Sequence, residues 1–132
     1  MNQQRFRVYY EDTDAGGVVF YANYLKFIER GRTEYLRDLG FDQSVLANQK
    51  NVVFVVKSLS ADYLSPAYLD DMVEVQTNIN SIKNASLVFA QKILSLEKNT
   101  VLFKAEVKVV SVSTYNLKPC AIPQEIMEKL NG

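Results

Sequence analysis

The residues best suited to chemistry lie in one short run, Asp12-Thr13-Asp14-Ala15-Gly16-Gly17-Val18-Val19-Phe20-Tyr21-Ala22-Asn23, where two carboxylates and a glycine pair come just ahead of a helix-patterned segment. A helix start offers backbone N–H groups without intrahelical partners and a partial positive charge, both suited to a developing oxyanion. A carboxylate a few residues earlier can act on the carbonyl carbon or on a water beside it. Together these suffice for acyl hydrolysis. Each aspartate also has a purely structural reading, an Asx turn closed onto nearby N–H groups. Gly16 and Gly17 fit a backbone that must turn and let a substrate approach, since glycine adopts positive φ without steric cost. Asn23 is a favoured capping residue and reads as organising the loop where it meets the helix.

The composition narrows the chemistry further. The chain has no histidine, which excludes Ser-His-Asp and Cys-His catalysis by this chain and argues against a catalytic zinc site. Carboxylate chemistry remains, with no metal and no cofactor required. Cys120 is the single cysteine, so no intramolecular disulfide is possible, in keeping with a reducing compartment. Fifteen basic and fifteen acidic residues cancel, and no basic run stands out, which argues against nucleic acid and anionic membrane as partners. The N-terminal stretch lacks the apolar core of a signal peptide, and no apolar run approaches the roughly 18 to 20 residues of a spanning helix. A cytoplasmic protein without membrane insertion is expected.

These residues need elements to hold them. At 132 residues, 48% of them apolar, the chain fits one domain over 1–132. Residues 4–10 alternate as a strand with Phe6, Val8 and Tyr10 on one face. From Asn23 to Leu39, Tyr24, Phe27, Ile28, Gly31, Tyr35 and Leu39 recur at the spacing of one helical face. Gly31 within that face implies a sheet packed closely against the helix, and Gly40-Phe41 reads as its C-terminal cap. Val52 to Ala61 is a β-branched run expected to be buried on both faces, and residues 62–71, with Pro66, read as a connection or irregular edge. Val73, Val75, Thr77 and Ile79 alternate with a wet face that includes Glu74, followed by a turn at Lys83-Asn84-Ala85. Strands over 86–96 and 101–113 and a short helix opened by Pro123 complete an α+β pattern of one long helix and four or five antiparallel strands.

The spacing D-x-D-x-x-G-x-x-x-x-x-N-Y, continued by Leu25-Lys26-Phe27-Ile28-Glu29-Arg30-Gly31-Arg32-Thr33-Glu34-Tyr35-Leu36, resembles the hotdog-fold thioesterases of the 4-hydroxybenzoyl-CoA thioesterase family. It looks most like the tol-pal-associated acyl-CoA thioesterases. The resemblance extends through Phe54-Val55-Val56-Lys57, Asp62-Tyr63, Pro66-Ala67, Leu69-Asp70-Asp71, Ser86-Leu87-Val88-Phe89 and Lys118-Pro119-Cys120-Ala121-Ile122-Pro123. It implies an antiparallel sheet of about five strands wrapped around one long helix, and hydrolysis of an acyl-CoA to a free acid and coenzyme A.

The resemblance also implies roles for individual residues. The family's essential carboxylate falls on Asp14, as nucleophile or general base, while Asp12 is read as holding the loop. Tyr21 falls on the position whose backbone N–H supports the thioester oxygen; many close relatives carry histidine there, whereas the 4-hydroxybenzoyl-CoA enzymes carry an aromatic residue. Gly17, Asn23 and Lys83 are the expected substrate-binding residues. Lys83 lies near a turn that is basic in those enzymes and is otherwise a solvated turn lysine, and Lys118 is another candidate phosphate contact with no better claim. A homodimer or homotetramer with active sites between protomers is implied, with acyl carrier protein as a possible partner. The rival reading is a non-catalytic acyl-thioester or acyl-carrier-protein binding protein of the same fold.

Overall fold

Five alternating segments pair into a single antiparallel sheet in the computed structural model, which describes residues 2–131. They are β1 (Asn2–Arg7), β2 (Val52–Tyr63), β3 (Met72–Ile82), β4 (Ser86–Ser95) and β5 (Thr100–Ser113), in the order β1-β3-β4-β5-β2. The long helix α1 (Asn23–Asp38) lies against β1, β3 and β4, burying Tyr24, Phe27, Ile28 and Leu36. The sheet answers with Val73, Val75, Leu87, Phe89, Ile93, Phe103, Val107 and Val109. Burial of this apolar area at about 25 cal/mol per Å² is what holds helix to sheet.

Gly31 is where the two approach most closely: a Cβ built there would sit 2.7 Å from Val75 Cγ1 and 3.0 Å from Thr77 Oγ1. Any side chain at this position would force the sheet's own side chains to shift. At the other end of α1, Gly40 takes φ +99°, the Phe41 N–H returns to the Leu36 carbonyl at 2.9 Å and the Gly40 N–H to that of Arg37 at 2.9 Å. That is the Schellman closure that Gly40-Phe41 announces.

Several expectations are corrected. β1 ends at Arg7, and Tyr10 is 83% exposed rather than on the inner face, because Asp12 captures the Tyr9 N–H and turns residues 10–12 into a 3₁₀ turn. Leu36, not Leu39, carries the helical face into the core, since Leu39 is already the C-cap. Glu74 is buried instead of wet, held by the Arg5 Nε at 3.3 Å and the Gln76 Nε2 at 2.8 Å. Val52 to Ala61 is not buried on both faces: its strand lies at the sheet edge, leaving Val55, Val56 and Leu59 exposed. The polar stretch before it contains helix α2 (Gln43–Val45), which runs into a π turn at Leu46–Lys50 closed by Asn51 at φ 58°.

The hairpin turn at 83–85 and the strands on either side of it follow the expected pattern. Helix α3 (Gln124–Asn131) follows Pro123 and buries Ile126 completely. No helix among the described residues is long and apolar enough to cross a membrane.

Candidate active site

The acidic loop is organised by its own side chains. Asp12 is buried at 7% exposure; one of its carboxylate oxygens accepts from the Tyr9 N–H at 2.9 Å, and its carbonyl accepts from Asn23 Nδ2 at 2.8 Å and from the Phe20 N–H at 2.9 Å. A buried carboxylate spent on the backbone in this way is a structural clasp. Asp14, two residues on, stands at the exposed turn of the loop. Its Oδ1 accepts from the Gly16 N–H at 2.8 Å, and its carbonyl accepts from the Gly17 N–H at 3.0 Å. The Asx turn thus exists, yet it engages only Oδ1 and leaves the carboxylate facing outward. Gly17 takes φ +79°, which only glycine adopts without strain, and a Cβ on Gly16 would press on Asp14 Oδ1 at 3.2 Å.

The β2–β3 connection backs this loop. The Val19 N–H donates to the Ala67 carbonyl at 2.8 Å, the Ala67 N–H donates to the Tyr24 hydroxyl oxygen at 3.0 Å, and the Val8 and Asp70–Asp71 backbones exchange two more bonds. Burial raises the Tyr24 phenol above its ordinary pKa, so it stays neutral.

Asn23 does not cap α1 with its side chain. The N-cap is Ala22, which has no side-chain bond to the first turn, and Asn23 turns back to the Asp12 carbonyl. The helix start is consequently uncapped. Among the described residues, no carbonyl accepts from the Tyr21 or Ala22 N–H groups. The Tyr21 ring is 65% exposed, leaning on Phe20 at 4.7 Å between centroids. An outward carboxylate and an uncapped helix start, joined by the hydrogen-bonded loop from Asp14 to Tyr21, are the parts an acyl-transfer site needs.

Residues 8–130 fit one family profile, that of the thioesterase-like superfamily. The chain belongs to this superfamily. It is 52% identical to an acyl-CoA thioester hydrolase YbgC of Escherichia coli over 92% of this chain and 89% of that protein. A probable thioesterase from Bartonella henselae, 35% identical, superimposes with a TM-score of 0.86 over 92% of this chain and 98% of the other. A 4-hydroxybenzoyl CoA thioesterase variant in complex with 4-hydroxybenzoyl CoA matches with a TM-score of 0.90 at 18% identity, over 97% and 96% of the two chains, a likeness of fold. The architecture is the hotdog fold of these thioesterases.

Against that fold, the expected site residues divide. Asp14, Gly17, Tyr21 and Asn23 share the loop and helix start, whereas Lys83 does not reach it within one protomer. Arg7 pairs with Met72, so the loop leaves the sheet at the Met72 end of β3, and Lys83 lies beyond its other end, roughly 35 Å away at the rise of an extended strand. A concavity of about 400 Å³ between Ser60, Asp62, Gln76, Asn78, Lys92 and Lys104 is on the outer sheet face and contains neither Asp14 nor Tyr21. A smaller cavity of about 160 Å³ opens between α1 and the inner face, with Phe54, Val56, Leu87 and Phe89 as apolar walls and Arg32 at its rim.

Tyr63 was not picked out from the sequence, although it stands in the resembling segment Asp62-Tyr63. Its hydroxyl donates to the Tyr21 carbonyl at 2.8 Å, and its ring meets Tyr24 and Phe103 edge-on at 5.4 and 5.0 Å. No motif marks a lone tyrosine at a strand end; only the pairing of Tyr63 with Phe103 across β2 and β5 brings it to the helix start.

Proposed function

We propose that this chain is an acyl-CoA thioesterase acting through Asp14, with the start of α1 as its oxyanion hole and residues 1–132 as one hotdog domain. The observation that carries the reading is the uncapped helix start beside an outward carboxylate, in a chain about half identical to an acyl-CoA thioester hydrolase. The Asp14 carboxylate either attacks the thioester carbon, giving an anhydride that water cleaves, or withdraws a proton from the attacking water. Both routes pass through an oxyanion that the Tyr21 N–H stabilises, and both end in a carboxylic acid and the coenzyme A thiol.

We further propose that the working form is at least a homodimer joined through the outer edge of β2. An exposed strand of twelve residues carrying Val55, Val56, Leu59 and Tyr63 is an edge that pairs readily with a second copy. Antiparallel self-pairing about its middle brings the Tyr63 end of one copy beside the Val52 end of the other. The acyl chain then runs from one copy's Asp14 loop into the apolar cavity of the next, and Lys83 acts on the coenzyme from another protomer. Acyl carrier protein is the alternative acyl donor, and the unpaired Cys120 suits a cytoplasmic setting.

Thiol release from a panel of aliphatic and aromatic acyl-CoA substrates tests the activity. A single turnover in ¹⁸O-water tests the anhydride route: label enters the Asp14 side chain when water cleaves the anhydride at the aspartyl carbon, whereas cleavage at the acyl carbon and the general-base route both leave label only in the product acid, and trapping of the anhydride by hydroxylamine as an Asp14 hydroxamate then separates those two. Absence of thiol release across the panel sinks the reading.

A further inference from the structure

Two successive peptide groups at the start of α1 are held by their carbonyls. The Phe20 carbonyl accepts from the Asn23 N–H at 2.8 Å, and the Tyr21 carbonyl accepts from the Tyr63 hydroxyl at 2.8 Å. In a trans peptide the N–H points opposite to its own carbonyl. Anchoring these two oxygens therefore aims the Tyr21 N–H, which shares a peptide with the Phe20 carbonyl, and the Ala22 N–H, which shares one with the Tyr21 carbonyl. The first anchor belongs to the helix turn itself. The second comes from another element, the last residue of β2.

Tyr63 is well built for that task. Tyr24 and Phe103 fix its ring on two sides, and Phe103 is also its cross-strand partner, so the phenol has little freedom to swing away. Tyr24 ties the same cluster to the loop through the Ala67 N–H. A hydroxyl donating to an amide carbonyl also polarises that amide, which makes its N–H a stronger donor. Desolvation, with the neighbouring Tyr21 phenol adding to it, raises the Tyr63 pKa, so the hydroxyl keeps its proton throughout the neutral range.

We propose that Tyr63 is a positioning residue of the acyl-transfer site, holding and polarising the Tyr21–Ala22 peptide so that the Ala22 N–H acts as a second oxyanion donor beside that of Tyr21. The proposal rests on the thioesterase reading above. It assigns Tyr63 no contact with substrate; the residue acts through the backbone.

Tyr63→Phe removes the donor and keeps the ring that packs on Tyr24 and Phe103. We expect its kcat to fall about tenfold, the scale of one weakened donor, with KM within about twofold and an unchanged melting temperature. A structural loss would not produce the second signature. In the Asp14→Asn background, the infrared band of a ¹³C-labelled thioester carbonyl bound to the protein lies below its frequency in water, and adding Tyr63→Phe moves it back towards that frequency. A kcat within twofold of the parent, or a carbonyl band that Tyr63→Phe leaves in place, overturns the proposal. If the parent releases no thiol from any acyl-CoA, the thioesterase reading fails by itself, and the band of the bound ligand still decides Tyr63.

Discussion

Gly31→Ala sets two calculable effects against each other on α1, the helix that follows Tyr21 and begins at Asn23. In an isolated helix, alanine is favoured over glycine by about 1 kcal/mol. Here the new Cβ would lie 2.7 Å from Val75 Cγ1, 3.0 Å from Thr77 Oγ1 and 3.1 Å from Gln91 Nε2. Carbon atoms in ordinary contact sit about 3.5 to 4.0 Å apart, so the overlap with Val75 is close to 1 Å. All three neighbours are packed in the interior, so each yields only by disturbing its own contacts: Val75 and Thr77 are fully buried, and Gln91 is 2% exposed. Gln91 is also the pin between helix and sheet, donating to the Ile28 carbonyl at 2.9 Å and accepting from Arg32 Nη1 at 2.9 Å. Overpacking costs about 1 to 3 kcal/mol, and a strained buried hydrogen bond adds about 1 kcal/mol. The steric terms win, for a net loss of about 2 kcal/mol. At fixed protein concentration, thermal melting followed by circular dichroism should show a midpoint lower by about 5 to 10 °C. A variant that melts at or above the parent would refute the close approach of α1 to β3.

The remaining predictions concern the site, its assembly and its acid–base behaviour. Asp14→Asn keeps an oxygen for the Gly16 N–H and should therefore fold normally, yet lose at least about a thousandfold in kcat; near-parental thiol release would remove Asp14 from the mechanism. Tyr21→Phe should stay within about threefold of the parent, because a main-chain donor makes no use of the phenol, whereas loss of a donor costs about 3 kcal/mol; a drop of several hundredfold would bring the hydroxyl into the chemistry. Val55→Lys with Leu59→Lys puts charges on the exposed edge and should yield folded monomer without turnover, checked by sedimentation equilibrium beside the thiol assay; a fully active monomer would end the shared-site proposal. Tyr24 and Tyr35, both raised above 10.0 by burial, prefer the neutral phenol in the folded state. Their contribution is complete below pH 10.0 and is lost as pH rises through the raised values, so urea unfolding should show stability falling above that pH, with a shallower fall for Tyr35→Phe.

What could be read along the chain was whatever depends on near neighbours. The periodic face of α1, its Gly40-Phe41 closure, the hairpin at 83–85 and the alternation of Phe103, Ala105, Val107 and Val109 are all set within a few residues, and the structure has them where the pattern put them. Gly31 was legible too, because a helix tolerates glycine inside its apolar face chiefly where a packed neighbour leaves no room for a Cβ. What depends on the order of strands was not. Val52 to Ala61 has the composition of a strand covered on both sides, and nothing in a β-branched run tells how many neighbours it has; the sheet order leaves it with one. Glu74 reads as solvated until β1 places Arg5 beside it. At the site, the sequence pattern marked the loop residues as a set. It did not reveal that Asn23 would turn from capping to clasping Asp12, since that choice depends on a carbonyl eleven residues away.

The strand that its composition misrepresents bears on both assembly and catalysis. β2 presents Val55, Val56 and Leu59 at an unpaired edge, and at its end Tyr63 donates to the Tyr21 carbonyl. Tyr63 is itself 49% exposed in one copy of the chain. Pairing that edge with a second copy would shield the phenol from water, and a hydrogen bond withdrawn from competing solvent is stronger. In the proposed dimer, association and oxyanion geometry would be coupled through one residue: pairing would tighten the Tyr63 bond, the bond would aim the helix-start N–H groups, and substrate bound to those groups would favour the dimer in return. On this arrangement the monomer is not an active enzyme lacking only half a pocket. Its own oxyanion donors are less firmly held, which is why an edge substitution far from Asp14 should lower kcat and not KM alone.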